Sequence, residues 1–509
     1  MAIFNSIVSW FMKKRIHQVE LFLKYPLEVQ EEWRKKLLLR AKDTEWGKRY
    51  DFASMQSADD FRQRVPIHDY DSLKPEIDRL RKGEQNILWP SEIKLFAKSS
   101  GTTSDKSKFI PVSSEAIEEC HYNGGKDLLC FYCHNFPETN IFSGKVLALG
   151  GSHQQGEANS YSGDISALLI QHLPLWMQLI RTPDLSVTLL EKWEEKIDKM
   201  ARLTINENVT SISGVPTWTI VLANRVLEIT GKKNLLEVWP NLELFTHGAV
   251  SFVPYREHFK QLIPSAKMNY VETYNASEGF FGIQDRSDGD DMLLMLDYGV
   301  YYEFLPPSKV GDPHAKTILL SEVQLNTDYA LIITTNAGLW RYMIGDTIRF
   351  TNVSPFRFKI SGRTKHFINA FGEEVIIDNA EQALKIACEK TASLVTDYTV
   401  APIFFAGKEN AAHEWLIEFE KEPLSIEYFC EVLDNALKSV NSDYEAKRYK
   451  DMALRKPVIH LLQKNTFYEW MRSRGKLGGQ NKVPRLFNDR LYVDDIHHFI
   501  KTGSSAIIA

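Results

Sequence analysis

The sequence contains no apolar run near the ~18 residues that a membrane-spanning helix needs, and no long run of basic residues. We therefore expect neither a membrane nor a nucleic acid as a partner, and the formal net charge of -5 agrees with this. In the first stretch, MAIFNSIVSWFMKKR, the basic residues follow the apolar ones, which is the reverse of a signal peptide. Its apolar spacing predicts an amphipathic helix packed on the protein body. We expect a cytoplasmic protein that is a monomer or a weak oligomer.

Cysteine is also scarce, with 5 among 509 residues. An odd and sparse set is typical of a reducing compartment. Cys130 and Cys133 form a CxxC pattern with His134 beside it, but a metal site of this kind needs a second ligand pair, and none is obvious. The segment has the pattern of a buried helix, so we expect two structural cysteines.

The composition, 44% hydrophobic and 25% charged, is typical of a globular protein, and the length suits several domains. Strands alternate with helices between residues 145 and 272, which predicts a mainly parallel sheet. Residues 292–305 and 330–335 instead predict antiparallel strands. We expect an α/β protein with a large N-terminal domain of mixed sheets and helices, residues 1–362, and a smaller α+β domain, residues 363–509.

The stretch from Lys98 to Lys108, KSSGTTSDKSK, lies between two predicted strands, residues 93–97 and 109–112. Its small side chains would let backbone N–H groups approach an anion, and its hydroxyls and lysines add donors that suit phosphate. It is not a Walker A loop, which needs Gly at both ends and Lys-Ser/Thr after the second Gly. Taken alone, the stretch is a phosphate-binding loop or a solvated Ser/Thr turn.

Four further polar stretches follow in order: YNASEG (274–279), WRYMIGD (340–346), GRTK (362–365) with FGEE (371–374), and GGQNKVPR (478–485). The first follows a predicted strand, residues 268–272, and so lies at the carboxyl end of a sheet, where α/β proteins bind ligands. The second places an acid after a Gly, at a predicted turn between strands. Each has an ordinary structural explanation, but their joint occurrence in this order indicates one site.

Together these motifs resemble the adenylate-forming superfamily of acyl-CoA ligases, luciferases and peptide-synthetase adenylation domains. Within it, KSSGTT, GVPTW, FTHGAV, YNASEGFFG, GLWRYMIGD and GGQNKVPRL resemble the auxin-responsive Gretchen Hagen family of acyl-acid amido synthetases, including its bacterial members. The resemblance covers nearly the whole chain. It implies an adenylate-forming N-terminal domain, a mobile C-terminal domain, and a reaction that uses ATP and Mg²⁺ with a small carboxylic acid and an amino acid as substrates.

The resemblance also implies roles for individual residues. A loop would hold the β- and γ-phosphates of ATP, and it consists of Ser99, Ser100, Gly101, Thr102 and Thr103. The nucleotide pocket would contain Tyr274, Asn275, Ser277 and Arg363. Asp346 would accept hydrogen bonds from the ribose hydroxyls, and Glu278 would bind Mg²⁺. Lys482 would stabilise the carboxylate and α-phosphate oxygens, and Lys365 would lie at the hinge of the mobile domain.

The sequence is least informative about the acyl pocket, for which Trp218 and Phe245 are candidates beside their simpler role in core packing. It also departs from the superfamily: Met343 replaces the Arg of the Tyr-Arg-Thr-Gly-Asp motif, and Lys365 replaces an Asp that is frequent at the hinge. Two alternatives stay open, an acyl-CoA ligase with the same first step and a nucleotide-binding protein without turnover.

Overall fold

The computed structural model describes residues 15–100, 107–173, 175–190, 192–312, 315–364, 367–405, 410–474, 483 and 485–503. The chain divides into two compact units. One contains residues 1–99 and 108–364, and the other contains residues 100–107 and 365–509. The predicted amphipathic helix at residues 1–14 lies outside the described part of the chain.

The elements are numbered in chain order. The strands are β1 Leu95–Ser100, β2 Ser107–Val112, β3 Lys145–Ala148, β4 His153–Gln155, β5 Tyr161–Gly163, β6 Arg181–Thr182, β7 Val209–Ser213, β8 Leu244–His247, β9 Asn269–Ala276, β10 Gly279–Ile283, β11 Met292–Leu294, β12 Val300–Leu305, β13 Asp328–Thr335, β14 Tyr342–Val353, β15 Phe356–Arg363, β16 Phe367–Ile368, β17 Val375–Ile376, β18 Leu394–Ile403, β19 Ala412–Lys421 and β20 Val458–Leu462. The α-helices are α1 Pro26–Ala41, α2 Glu45–Arg49, α3 Ala58–Arg64, α4 Tyr70–Arg81, α5 Asn123–Asn135, α6 Ile165–Gln171, α7 Leu175–Ile180, α8 Leu185–Thr188, α9 Trp193–Thr204, α10 Pro216–Thr230, α11 Arg256–Leu262, α12 Ile377–Thr391, α13 Ile426–Val440, α14 Ser442–Arg448, α15 Thr466–Ser473 and α16 Leu491–Gly503.

The large sheet of the first unit is half parallel and half antiparallel. Within the described residues its order is β12-β13-β14-β15-β11-β10-β9-β8-β7-β3-β6. In this order, neighbouring strands from β9 to β6 are parallel. All neighbouring strands from β12 to β9 are antiparallel. The α/β class with mixed sheets is therefore confirmed, and the parallel half holds the predicted strand–helix alternation.

A buried ion pair joins the antiparallel half to the N-terminal helices. Arg341, 3% exposed and in the left-handed region with φ 44°, donates to both carboxylate oxygens of Glu303, with its Nε 2.9 Å from Oε2. Its Nη1 also donates to the backbone carbonyls of Arg62 and Val65. All three nitrogens of the Arg341 guanidinium thus donate to acceptors inside the protein, as a buried charged group requires. We infer that Arg341 supports the sheet.

The predicted buried helix of Cys130 and Cys133 is α5, and a π-helix, Ala116–Tyr122, leads directly into it. Ser113 caps the π-helix, because its Oγ accepts from the backbone N–H of Ala116 at 3.0 Å. Gly124 is required for packing, since a Cβ at this position would overlap the ring of Phe280. Cys130 and Cys133 are buried on α5, as expected, and burial raises the pKa of the Cys130 thiol to about 12.

The second unit is a small α+β fold. Its central sheet has the order β18-β19-β20, with β18 antiparallel and β20 parallel to β19. Ser425 and Asn441 cap α13 and α14 through their side chains. A separate hairpin, β16–β17, precedes α12. Across the part of the chain that the structure describes, no helix is long and apolar enough to cross a membrane.

Candidate active site

Three of the predicted nucleotide-binding residues meet in one hydrogen-bonded cluster. Asp346 on β14 pairs directly with Arg363 on β15, and Arg363 Nε lies 2.6 Å from Asp346 Oδ1. The hydroxyl of Tyr274 on β9 donates to the other oxygen, Oδ2. Because β9 and β14 are not neighbours in the sheet, this contact requires the antiparallel half to curl.

Burial keeps the hydroxyl of Tyr274 in this cluster protonated. Tyr274 is 6% exposed, and burial, reinforced by the negative charges of Asp346 and Glu278, raises its pKa well above the ordinary value. Tyr274 is therefore a neutral phenol that can only donate toward the carboxylate. A carboxylate has about four lone-pair positions, so Asp346 keeps acceptor capacity beyond its two protein contacts.

The prediction that Asp346 lies at a turn between strands is wrong, because β14 runs through it. The strand does carry an irregularity there: its register against β13 shifts, and Gly345 has φ 102°, where side chains are strained. A Cβ at Gly345 would have space, with Thr364 Oγ1 at 3.9 Å, so the backbone conformation is what requires glycine. The Gly345 carbonyl accepts from Thr364 N–H at 2.8 Å, which holds Arg363 beside Asp346.

Glu278 lies in a tight turn between two strands. Ser277 and Glu278 form the two-residue turn of the β9–β10 hairpin, and Glu278 is 9% exposed. Its negative charge contributes to raising the pKa values of both Tyr274 and Tyr342, which are raised mainly by burial. A largely buried carboxylate near these tyrosines suits a hard cation such as Mg²⁺, which prefers oxygen ligands.

His121 is a site residue that the sequence did not reveal. It lies in the π-helix, is 4% exposed, and its Nδ1 is 2.9 Å from Oδ1 of Asn275. Burial lowers the pKa of His121 to about 4, so the ring is neutral and its Nδ1–H donates to that oxygen. This contact orients the side-chain amide of Asn275. A π-helix is common at functional sites, but no sequence pattern predicts one.

The predicted phosphate loop and both lysines fall largely outside the described residues. Ser99 and Ser100 end β1, while Gly101, Thr102, Thr103, Lys365 and Lys482 are not described. Their predicted roles therefore stay predictions.

The two acyl-pocket candidates are both buried. Trp218 is 5% exposed on the first turn of α10. Phe245, on β8, is fully buried and stacks on Phe259 with ring centroids 4.7 Å apart. In the same aromatic group, His247 stacks on Phe252 at 4.1 Å, and burial lowers the pKa of His247 to about 3. These contacts are those of core packing, and the substrate role of Trp218 and Phe245 stays a prediction.

Domain models of one family match successive parts of the chain. The GH3 family N-terminal domain matches residues 15–268, the central domain residues 293–363 and the C-terminal domain residues 378–491. Among curated proteins, indole-3-acetic acid-amido synthetase GH3.3 of Arabidopsis thaliana is 24% identical, and the alignment covers 90% of this chain and 89% of that protein. Jasmonoyl-L-amino acid synthetase JAR6 of Nicotiana attenuata is 23% identical, with 93% of each chain covered.

Solved structures share the fold. The GH3.15 acyl acid amido synthetase superposes with a TM-score of 0.61 at 16% identity and covers 96% of both chains. A 2-hydroxyisobutyryl-CoA ligase, in complex with 2-HIB-AMP and CoA, gives a TM-score of 0.55 at 11% identity over 93% of this chain and 92% of that one. The three domain models together match most of the sequence, and the chain belongs to the GH3 family.

Proposed function

We propose that the protein is an ATP-dependent acyl-acid amido synthetase: it joins a small carboxylic acid to AMP with release of pyrophosphate, and then transfers the acyl group to an amine, in particular that of an amino acid. The observation that carries this proposal is the meeting of Tyr274, Asp346 and Arg363 in one cluster, on a chain of the GH3 family. The names of relatives agree with it, since GH3.3 is an indole-3-acetic acid-amido synthetase and JAR6 is a jasmonoyl-L-amino acid synthetase.

Adenylation brings a carboxylate oxygen to the α-phosphorus while the pyrophosphate oxygen leaves. Negative charge gathers on the phosphate oxygens, so the reaction needs positioned donors and cations more than a nucleophilic side chain. In this proposal the loop of Ser99, Ser100, Gly101, Thr102 and Thr103 binds the β- and γ-phosphates.

The nucleoside is held by the curled half of the sheet. Asp346 accepts from the ribose hydroxyls while Arg363 and Tyr274 orient its two oxygens. Asn275 and Ser277, at the end of β9 and in the hairpin turn, line the nucleotide pocket. Glu278 holds Mg²⁺, which supplies positive charge against the phosphate oxygens when bound.

Residues 1–362 form the ATP- and acyl-binding domain in this proposal, and residues 363–509 the mobile domain. Lys482 donates to the carboxylate and α-phosphate oxygens during adenylation. Lys365 acts as the hinge about which the second domain turns before the amine attacks the acyl-adenylate. Trp218 and Phe245 contribute to the acyl pocket in this proposal. We propose a cytoplasmic monomer or weak oligomer.

The test is pyrophosphate release from ATP and Mg²⁺ across a panel of aryl, indolyl and aliphatic acids, each alone, with mixed amino acids, and with CoA. We expect release with at least one acid, faster turnover with an amino acid, and an amide product by mass spectrometry. Lys482→Ala should slow adenylation by about 10²–10³. Lys476→Ala, a lysine of the same region, is the matched control and should stay active.

The outcomes separate the alternatives. A thioester product that requires CoA, with no amide, would replace the proposed reaction by that of an acyl-CoA ligase. Bound ATP without pyrophosphate release across the panel would favour a binding protein. Equal activity of the Lys482→Ala and Lys476→Ala variants would remove the role assigned to Lys482.

A further inference from the structure

Two histidines and a glutamate of the second unit converge on one point, which we name the Glu414 cluster: Glu414, His460 and His497. They come from three elements, β19, β20 and α16. The Nε2 atoms of His460 and His497 lie 2.9 Å and 2.8 Å from the same oxygen, Oε1 of Glu414. Among the His, Cys, Asp and Glu side chains that the structure describes, these form the only set of three whose ligand atoms lie close enough together to share one metal ion.

The carboxylate of this cluster is held in place from its other side. Arg490 Nη2 lies 2.7 Å from Oε2 of Glu414 and 2.9 Å from Oδ1 of Asp494. This leaves Oε1 as the oxygen that faces both imidazoles. Such an outer partner, which fixes the orientation of a carboxylate ligand, is typical of metal sites in proteins.

The two histidines of the cluster are accessible from solvent, whereas the glutamate is buried. The Glu414 side chain is 6% exposed, whereas those of His460 and His497 are 44% and 30% exposed. An open groove of about 590 Å³ reaches the two histidines and is also lined by Asp494, His498 and Lys501. An ion could therefore enter without unfolding, and water could complete its coordination.

We propose that the Glu414 cluster binds a divalent transition-metal ion, preferably Zn²⁺, through both imidazole Nε2 atoms and the carboxylate Oε1. Imidazole nitrogen is a ligand of Zn²⁺, Ni²⁺ and Co²⁺ rather than of Mg²⁺, so this site differs in chemistry from the one at Glu278. The proposal does not depend on the enzymatic reaction.

The geometry suits such an ion. With metal–ligand bonds of roughly 2.0–2.1 Å, nitrogen-to-oxygen separations of this size correspond to ligand angles of about 90°. Two imidazoles and one carboxylate at such angles occupy neighbouring coordination positions of an ion, and water can occupy the remaining positions. Tetrahedral coordination would need the histidines to move outward by only about 0.4 Å.

The simpler arrangement is two imidazole N–H groups that each donate to Oε1, with no ion. Metal binding would replace these two donors, so each Nε2 must be without its proton when an ion is bound. Uptake of the ion would then connect α16 directly to β19 and β20. The two arrangements therefore predict different responses to added metal.

The experiment uses the full chain without an affinity tag, treated with EDTA and transferred to chelator-free buffer. Co²⁺ is added as a spectroscopic probe, and its visible absorption is followed to saturation. We expect one equivalent to bind with a change in the absorption spectrum, Zn²⁺ to displace it, and millimolar Mg²⁺ to leave it unchanged. Zn²⁺ should also raise the Tm of the unliganded protein.

The variants are His460→Gln and His497→Gln, which change partly exposed side chains and leave the buried Glu414–Arg490 pair intact. Each should weaken Co²⁺ binding at least tenfold and remove the effect of Zn²⁺ on Tm. The control is His17→Gln, which changes an exposed histidine paired with Glu20 at 3.1 Å and should bind as the parent does. Absence of saturable Co²⁺ binding, or equal binding by all variants, would overturn the proposal.

Discussion

Arg363 Nε lies 2.6 Å from Oδ1 of Asp346, and the two residues are direct partners in the β14–β15 pairing. The bulge at Gly345 and the backbone bond from Thr364 to its carbonyl hold the two side chains in this position. The contact thus joins two motifs that are separated in the sequence, WRYMIGD and GRTK.

The first prediction concerns the acceptor role of Asp346. Asp346→Asn replaces one carboxylate oxygen by a donor, so the ribose hydroxyls lose a charged partner, and we expect the KM for ATP to rise about tenfold or more. Steady-state pyrophosphate release at varied ATP measures this. The control is Asp328→Asn on the neighbouring strand β13, which breaks an exposed pair with Arg349 and should leave the KM for ATP unchanged. A normal KM in Asp346→Asn would contradict the role.

The second prediction concerns His121 as a positioning residue for Asn275. His121→Ala removes the donor to Asn275 Oδ1, and we expect the KM for ATP to rise by a factor of about five with a smaller change in kcat. His121→Gln, which can donate to the same oxygen, should recover part of the loss. His134→Ala, an exposed histidine on the adjoining helix α5, should behave as the parent. An equal fall of kcat in both His121 variants, without a KM effect, would indicate a purely structural role.

Much of the fold could be predicted because local patterns determine it. The strands predicted at residues 109–112 and 330–335 lie within β2 and β13, since short apolar runs mark them.

The rest depends on contacts between distant residues. Asp346 lies in a strand because β13 and β15 pair on both sides of it, which outweighs the turn tendency of Gly-Asp. The π-helix of His121 and the packing of Gly124 on Phe280 depend on tertiary structure as well. Arg341 stands near the position of the superfamily arginine, but only the structure reveals its pairing with Glu303.

The third prediction follows from that pair. Arg341→Met leaves the Glu303 carboxylate buried without its main partner, and we expect the free energy of unfolding to fall by roughly 3–5 kcal/mol. Urea unfolding followed by tryptophan fluorescence measures it. The matched control is Arg349→Met, which breaks the exposed pair with Asp328 and should cost at most about 1 kcal/mol.

A double variant, Arg341→Met with Glu303→Gln, should recover part of the lost stability, because the amide no longer carries an uncompensated charge. If Arg341→Met were as stable as Arg349→Met, the pair would not support the sheet as inferred here.

The fourth prediction concerns acid stability. Burial lowers the pKa values of His68 and His121 to about 4 and that of His247 to about 3, all below the ordinary value of 6.5. As the pH falls through 6.5 the unfolded chain takes up protons that the folded chain does not, so the free energy of unfolding decreases with decreasing pH. Each histidine contributes a slope of up to about 1.4 kcal/mol per pH unit. Glu272, whose pKa burial raises to about 6, opposes this between roughly pH 4.5 and 6, because its folded form binds the proton first.

Urea unfolding at a series of pH values between 5 and 7.5 tests the prediction, with the double variant His68→Gln/His247→Gln beside the parent. The variant lacks two of the three imidazoles whose pKa values are given above, so its stability should depend less steeply on pH, even if it is less stable at pH 7.5. The His17→Gln variant changes a side chain that is 79% exposed, so it serves as the control and should keep the parental slope. Parallel curves for the parent and the double variant would mean that carboxylates, rather than His68 and His247, determine the acid sensitivity of the fold.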